Sequence, residues 1–356
     1  MHGIDWVDVG LSGLKIAVVL GAMLNVTPIM VWVERRGSAL IQDRPGPNRV
    51  GPFGLFQSFA DALKFILKED MLPAKANKVL YTIAPMFGLI PALTTIAVVP
   101  WGRPFLLPGG RLFEPIIANV NIGILLIFAL ASMGVYGIVM AGWASANKYS
   151  LFGGIRASAQ MISYELSLTL AAVSVLMSAG SLSLVDVVWR QTGSFVIFNA
   201  VKLPAWNIFS PAMWIAFVVF FVSAFAETNR LPFDFAEADA ELVAGYHTEY
   251  SSMKFALFFM SEYMAMATMS ALITTLFLGG WDIPWYNEPP NALGFALSVL
   301  AFVAKVSALL FIFVWVRWTI PRLKYDLLMK LGWKVFLPMA VINIVIVALF
   351  IAKRWI

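Results

Sequence analysis

Residues 119–143 read NVNIGILLIFALASMGVYGIVMAGW, a run of 25 without one charged side chain. A helix rises about 1.5 Å per residue and the hydrocarbon core of a bilayer is about 30 Å thick, so about 20 apolar residues cross it. In lipid such a helix satisfies its own backbone groups, which open strands and loops do not. The stretch points to an all-α integral membrane protein.

Working outward, the same test finds further spans at 10–33, 78–99, 158–179, 210–226, 253–278, 291–316 and 333–352, eight in all with 119–143. Helix breakers mark off several of them, among them Pro100, Gly180, Pro211, Gly279 with Gly280, and Pro321. Composition agrees: 60% of the 356 residues are hydrophobic and 13% charged, with a mean hydropathy of +0.82. No repeat or low-complexity segment divides the chain, so a single polytopic domain over 1–356 is expected. The N-terminus carries Asp5 and Asp8 in place of a basic region, which argues against a cleaved signal peptide.

Lys and Arg total 25 against 20 Asp and Glu, a net +5. With the N-terminus outside, 17 of the 25 basic residues fall on inner loops, so the positive-inside rule places both termini on the outer side. No basic tail or basic-aromatic tract suggests nucleic acid. The chain has no Cys, which removes disulfides, thiolate-held Fe–S clusters and a thiolate nucleophile. Its two His, His2 and His247, are too few for paired haem ligands or a His-built metal site. Electron chemistry would need a diffusible substrate or a partner.

Residues 52–69, PFGLFQSFADALKFILKE, have the pattern of a helix that lies in the interface plane. Phe56, Phe59, Ala60, Leu63 and Leu67 share one face while Gln57, Asp61, Lys64 and Lys68 share another. A simple loop anchor would show the same pattern.

Three charges stand deep inside spans: Glu165 in the fourth, Glu262 in the sixth and Lys305 near the middle of the seventh. Each is costly there. Lys305 lies too deep for its stem to reach either surface. Such residues either clasp helices through hydrogen bonds or carry protons, and two acids with a base in one bundle favour the proton path. The inner loop 227–252 carries Glu227, Asp234, Glu237, Asp239, Glu241 and Glu249 against Arg230 alone. Interleaved Phe233, Phe235, Leu242, Tyr246 and Tyr250 imply that these acids are packed, and packed carboxylates titrate as coupled sites. The first inner loop, VERRGSALIQDRPGPNRVGP at 33–52, is the basic complement. Arg35, Arg36, Arg44 and Arg49 suit either membrane anchoring or pairing with the acidic loop, and spacing is compatible with both.

Four stretches together resemble the NADH dehydrogenase subunit 1 family, a membrane component of respiratory complex I known in bacteria as its H-type chain. They are residues 33–69, GWASANKYSLFGGIRASAQMISYE at 142–165, PFDFAEADAELVAGYHTEY at 232–250 with FALFFMSEY at 255–263, and WVRWTIPRLKYDLLMKLGWKVFLP at 315–338. The likeness covers nearly the whole chain. It departs at Ala238 and Asp239, where the family more often reads Gly and Glu, so the role of Asp239 is the least secure.

The resemblance implies a subunit of a proton-translocating NADH:quinone oxidoreductase in the bacterial inner (plasma) membrane, without a complete active site of its own. It would dock the hydrophilic arm, contact other membrane-arm subunits and form much of the tunnel for quinone, its substrate. This chain would bind no cofactor, and NADH, FMN and the Fe–S clusters would belong to partner subunits. By the same resemblance Glu34, Arg35, Arg36 and Asp61 would line or support the tunnel. Arg156, Glu165, Glu227, Asp234, Glu237, Asp239, Glu241, Glu249 and Glu262, with Lys305 nearby, would carry the proton path. Within the superfamily a ferredoxin-driven complex or a membrane hydrogenase remains open. Outside it stand an ion-coupled transporter, against which the lack of repeat pairs speaks, and a passive scaffold.

Overall fold

The computed structural model describes residues 6–107, 110–197, 201–234, 243–286 and 289–353. In chain order its helices are α1 (Trp6–Ile41), α2 (Gln57–Leu67), α3 (Lys78–Thr95), α4 (Gly123–Ala144), α5 (Lys148–Ala179), α6 (Leu184–Gln191) and α7 (Trp214–Glu227). There follow α8 (Ser252–Phe277), α9 (Ala292–Thr319), α10 (Tyr325–Lys330) and, after a π-helical turn over Leu331–Phe336, α11 (Leu337–Ala352). Among the described residues seven segments are long and apolar enough to cross a membrane: α1, α3, α4, α5, α8, α9 and the run Tyr325–Ala352. The expected span at 210–226 is the shorter apolar helix Pro211–Glu227. Ala216, Val219, Phe220 and Ala224 bury it among its neighbours.

Several helices outrun their apolar stretches. α1 continues through Glu34, Arg35 and Arg36 to Ile41, and α5 begins at Lys148, well before residue 158. At the end of α1 neighbours pair those charges: Arg35 with Asp61, and Glu34 with Arg230 and Arg317. Asn side chains start three helices by accepting a backbone N–H: Asn77 from Leu80, Asn147 from Tyr149 and Asn291 from Gly294. Gly180, at φ 70°, stops α5. The interfacial helix is shorter than the 52–69 expected, being α2 preceded by a turn at Pro52–Gly54. Gly54 has φ 74°, and a Cβ there would collide with the Pro47 carbonyl oxygen.

Two small antiparallel hairpins go beyond the all-helical expectation. Phe105–Leu106 pairs with Leu112–Phe113, and Ser194–Ile197 with Val201–Pro204. Both join spans at the end of the bundle that carries the start of α1. The main core lies where α5, α7, α8 and α11 meet, around Tyr164, Leu168, Phe220, Leu272 and Phe277. The opposite end, where α1, α4, α7 and α9 finish, holds the charged segments and is called the basic end below.

Candidate functional site

The site grows from Arg230, which follows α7 in the turn to the acidic loop. Its side chain is 4% exposed and is pulled from two sides. Nη1 stands 3.2 Å from Oε2 of Glu34 on α1 and donates to both of its oxygens. Nε stands 2.6 Å from Oε1 of Glu262 on α8, an ion pair out of line with the N–H bond. The guanidinium also lies 4.2 Å over the ring of Tyr263, whose hydroxyl donates to Glu34 at 2.5 Å. Arg317, near the end of α9, pairs with the other oxygen of Glu34. Burial alone would lower the pKa of Arg230, but Glu262, Tyr263 and Glu34 hold it well above its ordinary value. Two guanidinium groups and two carboxylates thus balance in a buried cluster drawn from four segments.

Beside this cluster lies a cavity of about 100 Å³ lined by Glu227, Asn229, Tyr246, Ser261, Glu262 and Thr268. Glu227, the last residue of α7, is 6% exposed, and its Oε2 has no hydrogen-bond partner among the described residues. Glu165 on α5 accepts a hydrogen bond from Ser132 of α4 and is near enough for its charge to be felt at Glu227. Asp234 pairs with Arg322 at 3.4 Å. The structure therefore brings together Glu34, Glu165, Glu227, Glu262 and Asp234, which lie far apart in sequence.

A strap joins this region to the interfacial helix. Tyr81 and Tyr250 stack at 4.1 Å, and the Tyr81 hydroxyl donates to the carbonyl of Glu249 at 2.7 Å. The Glu249 carboxylate accepts from Asn147 at 2.6 Å. Burial pushes the pKa of the Tyr250 hydroxyl up, with Tyr81 adding to the effect. Ser252 donates to the Phe65 carbonyl at 2.9 Å, and Lys254 pairs with Asp70 at 2.8 Å. The loop reaches α5 where Gly153 meets Gly245: a Cβ on Gly153 would stand 2.7 Å from that backbone. Arg156, one turn further along α5, lies 5.2 Å over the Tyr325 ring.

A second cavity, of about 540 Å³, opens between α1, α2 and α8. Its walls are apolar, with Pro28, Val31, Phe59, Phe65, Phe259 and Met260, and its polar rim includes Arg35 and Asp61. Those two pair at 2.5 Å, and Gln57 donates to Asp61 at 3.2 Å. Arg36 turns to the loop, donating to the carbonyls of Pro47 and Phe53 at 3.3 and 3.1 Å.

A family model described as NADH dehydrogenase matches residues 14–348. The chain is 48% identical to an H-type chain of the NADH-quinone oxidoreductase of Koribacter versatilis, over 96% of this chain and 97% of that one. It is 46% identical to the H-type chain of the same enzyme in Salinibacter ruber, over 95% of each, and 46% to one from Geobacter metallireducens, over 98% of each. The chain belongs to the NADH dehydrogenase family.

Within this NADH dehydrogenase family chain, the matched range holds every charged residue of the cluster. Glu237, Asp239 and Glu241 lie outside the described residues. Lys305 is placed just past the C-terminal end of α8, away from Glu262: its ammonium donates to the carbonyls of Leu278, Gly280 and Asp282 at 2.7, 3.0 and 2.6 Å. It also lies 4.0 Å over Trp206. Sequence reasoning missed Arg230, Tyr263 and Arg317 as site residues. For Arg230 a signal existed, since it is the one cation in a stretch of six acids.

Proposed function

We propose that this chain is the membrane subunit of an NADH-quinone oxidoreductase that forms much of the quinone tunnel and links quinone reduction to proton translocation. The relatives named above are named as chains of an NADH-quinone oxidoreductase, which supports the first part of this reading. The observation that supports the reading is Arg230, held between Glu34 and Glu262, on the stretch of α8 where Phe259 and Met260 line the apolar cavity and Ser261 and Glu262 line the one with Glu227. A long-tailed quinone suits the first cavity: its isoprenoid chain is apolar, and Arg35 and Asp61 at the rim can orient a polar head group. NADH, FMN and Fe–S clusters belong, in this reading, to partner subunits of the hydrophilic arm.

Reduction of a quinone to quinol takes two electrons and two protons. Taking those protons from groups beside Glu34 leaves negative charge there, which draws Arg230 and Arg317 toward α1. Glu262 then loses part of its counter-charge and takes up a proton, and Glu227 and Glu165 continue the path. Asp234, Glu249 and Arg156 stand at its basic end, with Glu237, Asp239 and Glu241 between them in sequence, and Lys305 marks the far end of α8. The basic end faces the cytoplasm and both termini face outward in the inner membrane.

The test is a mild-detergent pull-down of the tagged chain from its native membrane, with the eluate assayed for flavin, iron and NADH oxidation by a soluble quinone. A flavin- and iron-containing assembly with quinone reductase activity is the expected result. A chain that elutes alone, is redox-silent and moves ions in liposomes would overturn the reading in favour of a transporter.

A further inference from the structure

We propose that the groove between the first half of α1 and the start of α9 seats one acyl chain of a glycerophospholipid whose phosphate is held by Lys15. The groove, of about 460 Å³, is lined by Leu14, Val18, Phe113, Phe295 and Val299, with Lys15 as its charged residue. Its lining is apolar and its outer edges are bare: Leu14 and Val18 are 59% and 53% exposed. At the groove's mouth Trp101, Phe105, Phe113 and Phe295 form a cluster with ring centroids 4.8 to 6.5 Å apart. Aromatic residues gather in this way at head-group level.

The level follows independently from α1. Its 36 residues make it about 54 Å long, well beyond a hydrocarbon core of about 30 Å. Its last turns are fixed at the basic end through Glu34 and Arg35, and counting back about 20 residues from Glu34 reaches Leu14 and Lys15. Lys15 is therefore at the boundary where a phosphate lies, half-buried, with its ammonium 5.0 Å over the Phe113 ring. The two carboxylates whose charge reaches it have other partners: Asp8 pairs with Arg111 at 3.4 Å, and Glu114 accepts from Asn119 at 3.3 Å. An ammonium at head-group depth above an apolar groove complements a phospholipid and offers nothing to an apolar partner helix. The consequence reaches the quinone reading. The later half of α1, with Pro28 and Val31, walls the cavity beside α2, so a lipid braced against Leu14 and Val18 steadies that wall.

The experiment uses the chain purified from its native membrane in mild detergent with whatever subunits accompany it. A phosphatidylethanolamine carrying a photoreactive diazirine in one acyl chain is added, illuminated, and its adducts are mapped by peptide mass spectrometry. Adducts are expected to concentrate on residues 11–18 and 295–299. Lys15→Gln should lower them about tenfold, the loss of one charge-assisted hydrogen bond to the phosphate. Val299→Trp, which fills the groove and keeps Lys15, should lower them to background, and it decides the matter alone if Lys15→Gln does not assemble. Adducts spread evenly over all lipid-facing helices, absent from this groove, or unchanged in these variants would overturn the proposal. The readout is independent of quinone activity, so failure here and failure of the quinone reading are distinguishable.

Discussion

Arg230 is paired with Glu34 at 3.2 Å across 196 residues of sequence, and the two side chains are 4% and 8% exposed. A buried pair of this kind adds little net stability over apolar packing, but removing one partner strands the other charge at a cost of about 3–5 kcal/mol. Arg230→Met should therefore strand Glu262 and leave Glu34 to Arg317 and Tyr263, and the assembled complex should be recovered in lower yield. Arg230→Lys should assemble and lose quinone turnover, because an ammonium lacks the fork that reaches both acids. The pKa of Arg230 is raised, so its contribution is fully present below the unfolded value and is lost only as pH rises through the higher folded value. Any fall in wild-type activity between about pH 5 and 9 must come from other groups. A Lys variant with normal turnover would remove Arg230 from the mechanism.

Glu165→Gln keeps the shape of a side chain held by Ser132 and removes only its charge and proton. The complex should assemble, while quinone reduction coupled to proton movement should fall at least about tenfold, the equivalent of about 1.4 kcal/mol. The measurement is proton uptake per electron in vesicles alongside the assembly state. Assembly loss with normal turnover per complex would support a scaffold role instead.

The spans and the interfacial helix were legible because periodicity and length are local properties. The charged ends of α1 and α5 were not, since their helical state depends on partners elsewhere in the chain. Glu165 and Glu262 stood out because a carboxylate is expensive in an apolar run. Arg317 did not, because a base at a span's inner edge reads as an ordinary anchor. Its partner, Glu34, lies at the end of another span. The direction in which Lys305 points depends on where the turn after α8 places its carbonyls, and no pattern in sequence encodes that.

The Lys305 ammonium has three N–H donors, and Leu278, Gly280 and Asp282 accept from it just past the end of α8, where the helix dipole also favours a cation. Lys305→Met should destabilise the assembled protein by about 3 kcal/mol, since the stranded carbonyls lose a charged donor. Thermal unfolding of the purified complex reads this. The proton-to-electron ratio of the surviving complex should also fall if Lys305 belongs to the proton path, and an unchanged ratio in a well-assembled variant would leave Lys305 a structural role alone.

Gly153 tests the strap. A Cβ at this position would lie 2.7 Å from the backbone of Gly245 and Tyr246. Gly153→Ala should push the loop off α5 at a cost of about 1–3 kcal/mol, as overpacking does. It should also raise the protease sensitivity of residues 243–252 in the assembled complex. An alanine variant with wild-type protection would mean that the contact relaxes without moving the loop.

Arg35 and Asp61 separate binding from stability. Their side chains are 47% and 19% exposed, so the ion pair should be worth less than about 1 kcal/mol to folding. As the polar rim of the cavity between α1, α2 and α8, however, they would meet each quinone that enters. Arg35→Ala should leave assembly and thermal stability within that small margin. It should raise the apparent KM for a short-chain quinone about tenfold, the loss of one charge-assisted hydrogen bond, with a smaller change in kcat. An equal fall in kcat at unchanged KM would place Arg35 beyond the entrance, among the groups that respond to reduction, since a rim residue acts on the quinone only while it binds.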